Sequence, residues 1–177
     1  SLPENVGMAA RAMLNFGLTE MRLVRPQFSW PNANAINASS GAHSVLENAL
    51  HYEDTKSAVS GLHRLAATTA RMRDMVKDVQ SPRRWGADFR DAIENRSQRA
   101  GILFGPERVG LNNNDVALAD TLVSVPTNPA FSSINLAQTV LLLGYEWLLT
   151  GNEVFSKNRV VRKVYGAELA PLEEVIA

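Results

Sequence analysis

Asn128-Pro129-Ala130-Phe131-Ser132-Ser133-Ile134-Asn135-Leu136-Ala137, continuing through Gln138 to Trp147, is the stretch around which the chain is organised. It opens with a Pro-rich turn, and two serines and an asparagine then stand ahead of a strongly apolar helix. Ser132 or Ser133 is a natural N-cap, because a hydroxyl oxygen accepts an orphan backbone N–H of the first turn. Beyond it, Leu136, Val140, Leu141, Leu142, Leu143, Tyr145, Trp147, Leu148 and Leu149 leave little polar face. Such a helix is expected to be buried on most sides. At roughly sixteen residues it is too short, and with Gln138 and Glu146 too polar, for a membrane span. It therefore belongs in a core, a subunit interface, or both. Its polar residues gather at the N-terminus, where a helix presents free N–H groups to a ligand.

Composition narrows the class. The 177 residues suggest one domain, and 45% apolar content is a globular value. With no cysteine there is neither a disulfide framework nor a thiolate metal site, and His43, His51 and His63 lack ligand spacing, so no metal is expected. Eighteen basic residues balance eighteen acidic ones, which excludes a generally basic nucleic-acid coat but not a local patch. Neither a signal peptide nor a membrane span is visible, and the expectation is a soluble, cytoplasmic protein.

In chain order, Asn5 is a good N-cap for a helix over 6–16, with Gly17 at the C′ position. Residues 21–24 read as a short strand ended by Pro26. The Pro/Asn/Ser-rich run to Gly41 is loop with one helical turn at 33–38, and 45–50 is either helical or extended. A short helix is expected at 55–60, a strand at 62–68, and an amphipathic helix at 89–99. Gly101-Ile102-Leu103-Phe104 is a continuous apolar run suited to a buried parallel strand. A short helix at 112–119 and a strand at 122–125, stopped by Pro126, follow. Strands alternating with helices predict an α/β fold with a mostly parallel sheet flanked by helices. The polar stretch 158–177 reads as a C-terminal extension, leaving 1–157 as the main domain.

Ligands of open parallel sheets bind beyond the carboxyl ends of the strands. Three loops there carry unusual chemistry: Thr68-Thr69-Ala70, the glycine-bracketed Phe104-Gly105-Pro106-Glu107-Arg108-Val109-Gly110, and the run from Pro126 to Asn135. Neither a GxGxxG nor a GxxxxGK[ST] fingerprint is present.

These loops, taken with Asn5-Val6-Gly7-Met8-Ala9-Ala10-Arg11 and Phe16-Gly17, closely resemble the three motifs of the knotted SPOUT-superfamily RNA 2′-O-ribose methyltransferases. The second motif is Leu103 to Leu111 and the third Asn128 to Ala137. Within that superfamily the chain looks most like the TrmJ-like branch of the TrmH family, the tRNA (cytidine/uridine-2′-O)-methyltransferases. The resemblance covers about residues 2–150. It implies a parallel sheet whose C-terminal part threads a loop in a deep trefoil knot, a rare exception to unknotted topology. It also implies S-adenosylmethionine bound in the knot, an RNA substrate (tRNA in this branch) and an obligate homodimer. The family opens with an apolar strand ahead of its first motif. Here the sequence begins at Ser1-Leu2-Pro3-Glu4, where that strand has already ended: either the sequence is a segment of a longer chain or the strand is missing, and without the strand one sheet position would be unfilled.

The resemblance assigns roles. Arg11 contacts the target ribose and its phosphate, either as general base or as an orienting cation. A guanidinium holds its proton so firmly that the first role is demanding. Asn5 caps its helix, helps to position Arg11 and the ribose, or does both. Glu107 holds Asn5 or Arg11, or favours the positive sulfonium of the donor. Ser133 and Asn135 close the catalytic pocket, or are plain capping residues. The cofactor pocket is expected to draw on Thr68, Thr69, Ala70, Gly105, Glu107, Gly110, Val125, Pro126, Ser133, Ile134 and Leu136. For RNA, Arg71, Arg73, Lys77, Arg83 and Arg84 outnumber Asp74 and Asp78 and lead into Trp85, a basic loop with an aromatic. A solvated loop is the plain alternative.

Three other readings compete. A non-catalytic RNA-binding dimer of the same fold would be expected to have lost some of Arg11, Glu107, Ser133 and Asn135, all of which are present. A doubly wound nucleotide-binding enzyme lacks its phosphate fingerprint. An rRNA target is not separated from tRNA by the sequence.

Overall fold

A computed structural model describes residues 2–69 and 77–151. In chain order the elements are α1 (Pro3–Asn15), β1 (Arg22–Val24), α2 (Ala33–Ala38), α3 (His43–Glu47), β2 (Leu50–Tyr52), α4 (Thr55–Val59), β3 (Arg64–Thr68), β4 (Val79–Gln80), α5 (Pro82–Arg96), β5 (Ala100–Leu103), α6 (Asn113–Leu118), β6 (Thr121–Val123) and α7 (Leu136–Thr150). Every strand pairing among them is parallel, as the alternating pattern predicts. The expected single sheet is divided: β1 and β2 form a two-stranded sheet, and the other four strands run in the order β4-β6-β3-β5.

The central strand β3 shows why these residues make a buried strand. Leu65 and Ala67 point to one face, into a cluster with Leu111, Val116, Ala119 and Leu122 under α4 and α6. Ala66 points to the other, against Trp85, Phe89, Val123 and Leu143 of α5, β6 and α7. Period-two alternation thus feeds two apolar layers, one on each side of the sheet. The α1 helix packs against α7 on one flank and against α2 on the other, where Gly7 is needed. A Cβ there would stand 2.1 Å from the Ala35 carbonyl oxygen.

Several expectations change. The first helix starts at Pro3, with Leu2 at the N-cap, because proline at the start of a helix loses no hydrogen bond there. Asn5 therefore lies inside the helix and does not cap it. The undecided stretch around 45–50 is both: α3 ends at Glu47, and β2 begins at Leu50. The 89–99 helix begins a full two turns earlier, at Pro82, behind a Ser81 cap whose oxygen accepts the Arg84 N–H. That places Trp85 in the core, 5% exposed and tilted against Phe89 and Trp147, so it is not the RNA-contacting aromatic of a basic loop. Neither Ser132 nor Ser133 caps α7; Asn135 does.

The α7 helix is less buried in the single chain than its composition suggests. Ala137, Val140, Leu143 and Gly144 are covered. Leu141, Leu142, Tyr145 and Leu149 are 41–49% exposed and share one face. Among the described residues no helix is long and apolar enough to cross a membrane. The extension 158–177 lies outside the described residues.

Candidate functional site

The carboxyl ends of β3, β5 and β6 meet at one edge of the sheet. Ala67 is in register with Leu103, and Thr68 with Val123. Two hydrogen bonds tie the edge together just beyond the ladder: Thr68 Oγ1 donates to the Leu103 carbonyl at 3.0 Å, and the Thr69 N–H donates to the Val123 carbonyl at 3.0 Å. The three loops singled out in the sequence therefore leave from neighbouring points. Thr68, Thr69, Gly105, Glu107, Gly110, Val125, Pro126, Ser133, Ile134 and Leu136 lie on these strand ends and loops or, for Leu136, at the start of α7. Ala70, Arg71 and Arg73 lie outside the described residues.

The loop after β5 turns back on itself at once. A Cβ on Gly105 would lie 2.2 Å from the Leu111 nitrogen and 2.4 Å from the Gly110 carbonyl carbon, so only glycine fits. The Gly110 N–H donates to the Pro106 carbonyl at 2.7 Å, and Gly110 itself has φ of +70°, a left-handed conformation that glycine adopts without strain. Its missing side chain would point into open space, so the backbone is uncovered on that side.

Three side chains from the three motifs form a directed hydrogen-bond chain. Asn135 Oδ1 accepts the backbone N–H groups of Ala137 at 2.8 Å and Gln138 at 3.4 Å, capping α7. Its oxygen thus engaged, Asn135 turns its amide nitrogen outward and donates to Asn5 Oδ1 at 3.1 Å. Asn5 then has only its own nitrogen left for Glu107, and donates to Oε1 at 2.5 Å. The cap of one helix thereby fixes the rotamer of an amide buried in another, and that amide fixes a carboxylate. Asn5 is 7% exposed, so leaving its amide unpaired would be costly. The Glu107 end is exposed and charged, where a donated N–H is a stronger bond than a neutral one.

Arg11 lies on the exposed side of α1, nearly two turns beyond Asn5, and is not part of this chain. Among the described residues no hydrogen bond or ion pair engages its guanidinium, which leaves its donors available to a ligand. Ser133 is exposed two residues ahead of the Asn135 cap. Arg83 and Arg84 begin α5, and each faces a carboxylate. Arg83 pairs through two nitrogens with Glu146 of α7, at 3.1 and 3.2 Å, and this bond pushes its guanidinium further toward the charged form. Arg84 is 3.7 Å from Asp78. Both pairs are exposed and would cost little to exchange for another anion. Lys77 is turned away from solvent onto the Ala117 and Ala119 carbonyls at the end of α6. Among the described residues, no group of three or more His, Asp or Glu side chains is placed to hold a metal ion.

Two features are not settled by the sequence alone. Asn135 was open to a capping reading or a pocket reading, and it does the first while aiming a second bond at Asn5. The turn Asn128-Pro129-Ala130-Phe131, which opens the third motif, carries a Phe131 ring that is 75% exposed. Apolar content alone could not signal this, since phenylalanine most often goes inside.

Comparison with known proteins bears on the same stretch. The family model described as "SpoU rRNA Methylase family" matches residues 1–145. The tRNA (cytidine/uridine-2′-O-)-methyltransferase TrmJ of Yersinia enterocolitica is 38% identical over 142 residues, which is 80% of this chain and 54% of that protein. The tRNA (cytidine/uridine/adenosine-2′-O-)-methyltransferase TrmJ of Pseudomonas aeruginosa is 36% identical over 146 residues, 82% of this chain and 56% of its own length. Among solved structures, TrmJ from Z. mobilis ZM4 superposes with a TM-score of 0.78 at 49% identity, covering 83% of this chain and 64% of that one. The chain thus spans little more than half the length of the curated relatives it matches.

Proposed function

The chain belongs to the SpoU rRNA methylase family, and from that premise we propose that it is an S-adenosylmethionine-dependent RNA 2′-O-ribose methyltransferase acting on tRNA. The observation that carries this reading is the Asn135–Asn5–Glu107 hydrogen-bond chain, which joins all three motifs beside the cofactor loops. Relatives named for 2′-O-methylation of tRNA support the substrate class.

The residues present fit such a cofactor. Gly110 leaves its backbone open on one side, and Val125, Ile134 and Leu136 are each only partly buried, an apolar flank for an adenine ring. The pocket of this reading draws on Thr68 and Thr69, on Gly105, Glu107 and Gly110, and on Val125, Pro126, Ser133, Ile134 and Leu136. The bound cofactor supplies an electrophilic methyl group on a positively charged sulfur. The chain supplies position and charge. Glu107, held by Asn5, places a carboxylate near that positive charge. Arg11 offers a planar fork of donors to the phosphate beside the target ribose, and so orients the 2′-hydroxyl for in-line approach. An orienting cation asks less of a guanidinium than proton abstraction does. Arg83 and Arg84 extend the phosphate contacts, with Arg83 exchanging Glu146 for the RNA, and Arg71 and Arg73 are assigned to the RNA from the sequence alone.

The trefoil knot and the homodimer belong to the same reading. The last strand, β6, lies between β3 and β4, which are consecutive in the chain; such an insertion is what threading beneath the β3–β4 connection requires. The bare face of α7 (Leu141, Leu142, Tyr145, Leu149) lies beside α1, where Phe16 meets Tyr145 edge to face at 6.2 Å and Met8 and Leu14 are exposed in turn. A contiguous apolar face of this kind suits an obligate interface with a second copy. Residues 1–157 make up the catalytic unit and 158–177 its extension.

Arg11→Ala is the test of the assigned chemistry. Methyl transfer to tRNA is expected to be nearly abolished, while cofactor affinity by calorimetry changes by less than about threefold, well under 1 kcal/mol. Arg11→Lys is not expected to rescue transfer, because an ammonium loses the bidentate geometry. Lost cofactor binding with normal transfer at saturating cofactor would place Arg11 at the donor site and refute the role.

A further inference from the structure

The ring of Phe131 is the most exposed large apolar side chain among the described residues, at 75%. It joins none of the three apolar clusters, and among the described residues it makes no aromatic ring contact. The backbone that carries it is nonetheless held. The Phe131 N–H donates to the Asn128 carbonyl at 2.9 Å, and Asn128 Oδ1 accepts the Ala130 N–H at 3.0 Å. Asn128 and Phe131 face each other as an antiparallel bridge, and Pro129 between them has its φ fixed by its ring. A tight turn with two internal hydrogen bonds and a proline therefore presents a bare aromatic face. The turn ends four residues before Asn135, whose amide holds Asn5 in the site.

We infer that Phe131 is a stacking platform for an unpaired base next to the target ribose, so that the enzyme selects looped over base-paired RNA. This rests on the reading of the chain as an RNA 2′-O-methyltransferase. A ring with two side-chain torsions on a fixed turn loses little freedom when a base stacks on it. Stacking also tolerates any base, because each has a π-face. A paired strand has no free face to offer. The ring thereby adds selectivity for RNA shape, and the hydrogen-bonded chain behind it is left to position the reacting ribose.

The test uses the full chain with bulk tRNA from cells lacking this protein, and measures KM and kcat for methyl transfer. Phe131→Ala is expected to raise KM for tRNA about tenfold, within the range for losing one stacked base, with kcat changed less than about threefold. Phe131→Tyr and Phe131→Trp should restore KM. Phe131→Leu, apolar but without a π-face, should not. A short RNA hairpin should bind the wild type more tightly than a fully paired duplex of the same length, and Phe131→Ala should remove that preference. Cofactor affinity by calorimetry and mass by light scattering should stay at wild-type values. An unchanged KM in Phe131→Ala, or full rescue by leucine, overturns the stacking role. A variant that loses cofactor affinity or dissociates into monomers overturns it too, by assigning the ring to the donor pocket or to a second copy. Absence of transfer by the wild type itself refutes the methyltransferase reading, and the inference falls with it.

Discussion

Replacing Asn135 separates its two jobs. In Asn135→Ala the α7 cap is lost, at about 1 kcal/mol. The Asn5 Oδ1, on a residue only 7% exposed, loses its donor as well, at about 1–3 kcal/mol for a buried unsatisfied acceptor. Together these predict a loss of about 2–4 kcal/mol. Asn135→Asp behaves differently. A carboxylate still accepts the Ala137 and Gln138 N–H groups, and its charge favours a helix N-terminus. Both its oxygens are acceptors, however, so one confronts the Asn5 oxygen. Asn5 must turn its amide over, and then presents its oxygen to Glu107 where it had donated a hydrogen bond. The cap survives and the chain of bonds breaks. Urea unfolding should show Asp losing at least 1 kcal/mol less than Ala, while single-turnover methyl transfer falls alike in both. A cycle with Asn5→Ala should give a coupling energy of about 0.5–3 kcal/mol. Wild-type turnover in Asn135→Asp, or zero coupling to Asn5, would refute the reasoning.

Three further outcomes follow from the geometry. Gly105→Ala places a methyl group 2.2 Å from the Leu111 backbone nitrogen, so the loop must shift; cofactor affinity by calorimetry should fall at least tenfold, with the protein still folded by circular dichroism. Asp54 caps α4, and the Ser57 N–H it accepts holds its carboxyl below the ordinary range. Its folded value lies below its unfolded one, so its stabilisation is present above the unfolded value and lost as pH falls through the folded one; Asp54→Asn should flatten the urea midpoint between about pH 5 and 3. Leu142→Glu puts a charge on the bare face of α7 and should give a monomer by light scattering, whereas an unchanged dimer would move the interface elsewhere.

Local signals in the chain predicted most of the elements. The apolar run at Ile102 and Leu103 and the turn glycine Gly17 act within a few residues, and each is where the sequence places it. The misreadings share a different cause. Asn5 looks like a cap because its partner, Glu107, lies 102 residues away. Trp85 looks like part of a basic loop because Arg83 and Arg84 stand directly before it, yet Ser81 and Pro82 are a good cap and first helical residue. The insertion of β6 between β3 and β4 leaves no periodic trace at all, since strand order depends on long-range pairing. Motif identity names the site residues, and the direction of their hydrogen bonds follows from the fold.

The central claim is transfer of a methyl group to a ribose 2′-oxygen of tRNA. Mass spectrometry of nucleosides from tRNA of cells with and without this protein tests it directly. The account predicts that a 2′-O-methylated nucleoside disappears with the protein and returns when the purified chain and S-adenosylmethionine are added to that tRNA. A 2′-O-methyl profile identical in both cells, or a methyl group that returns on a base and not on ribose, would contradict it.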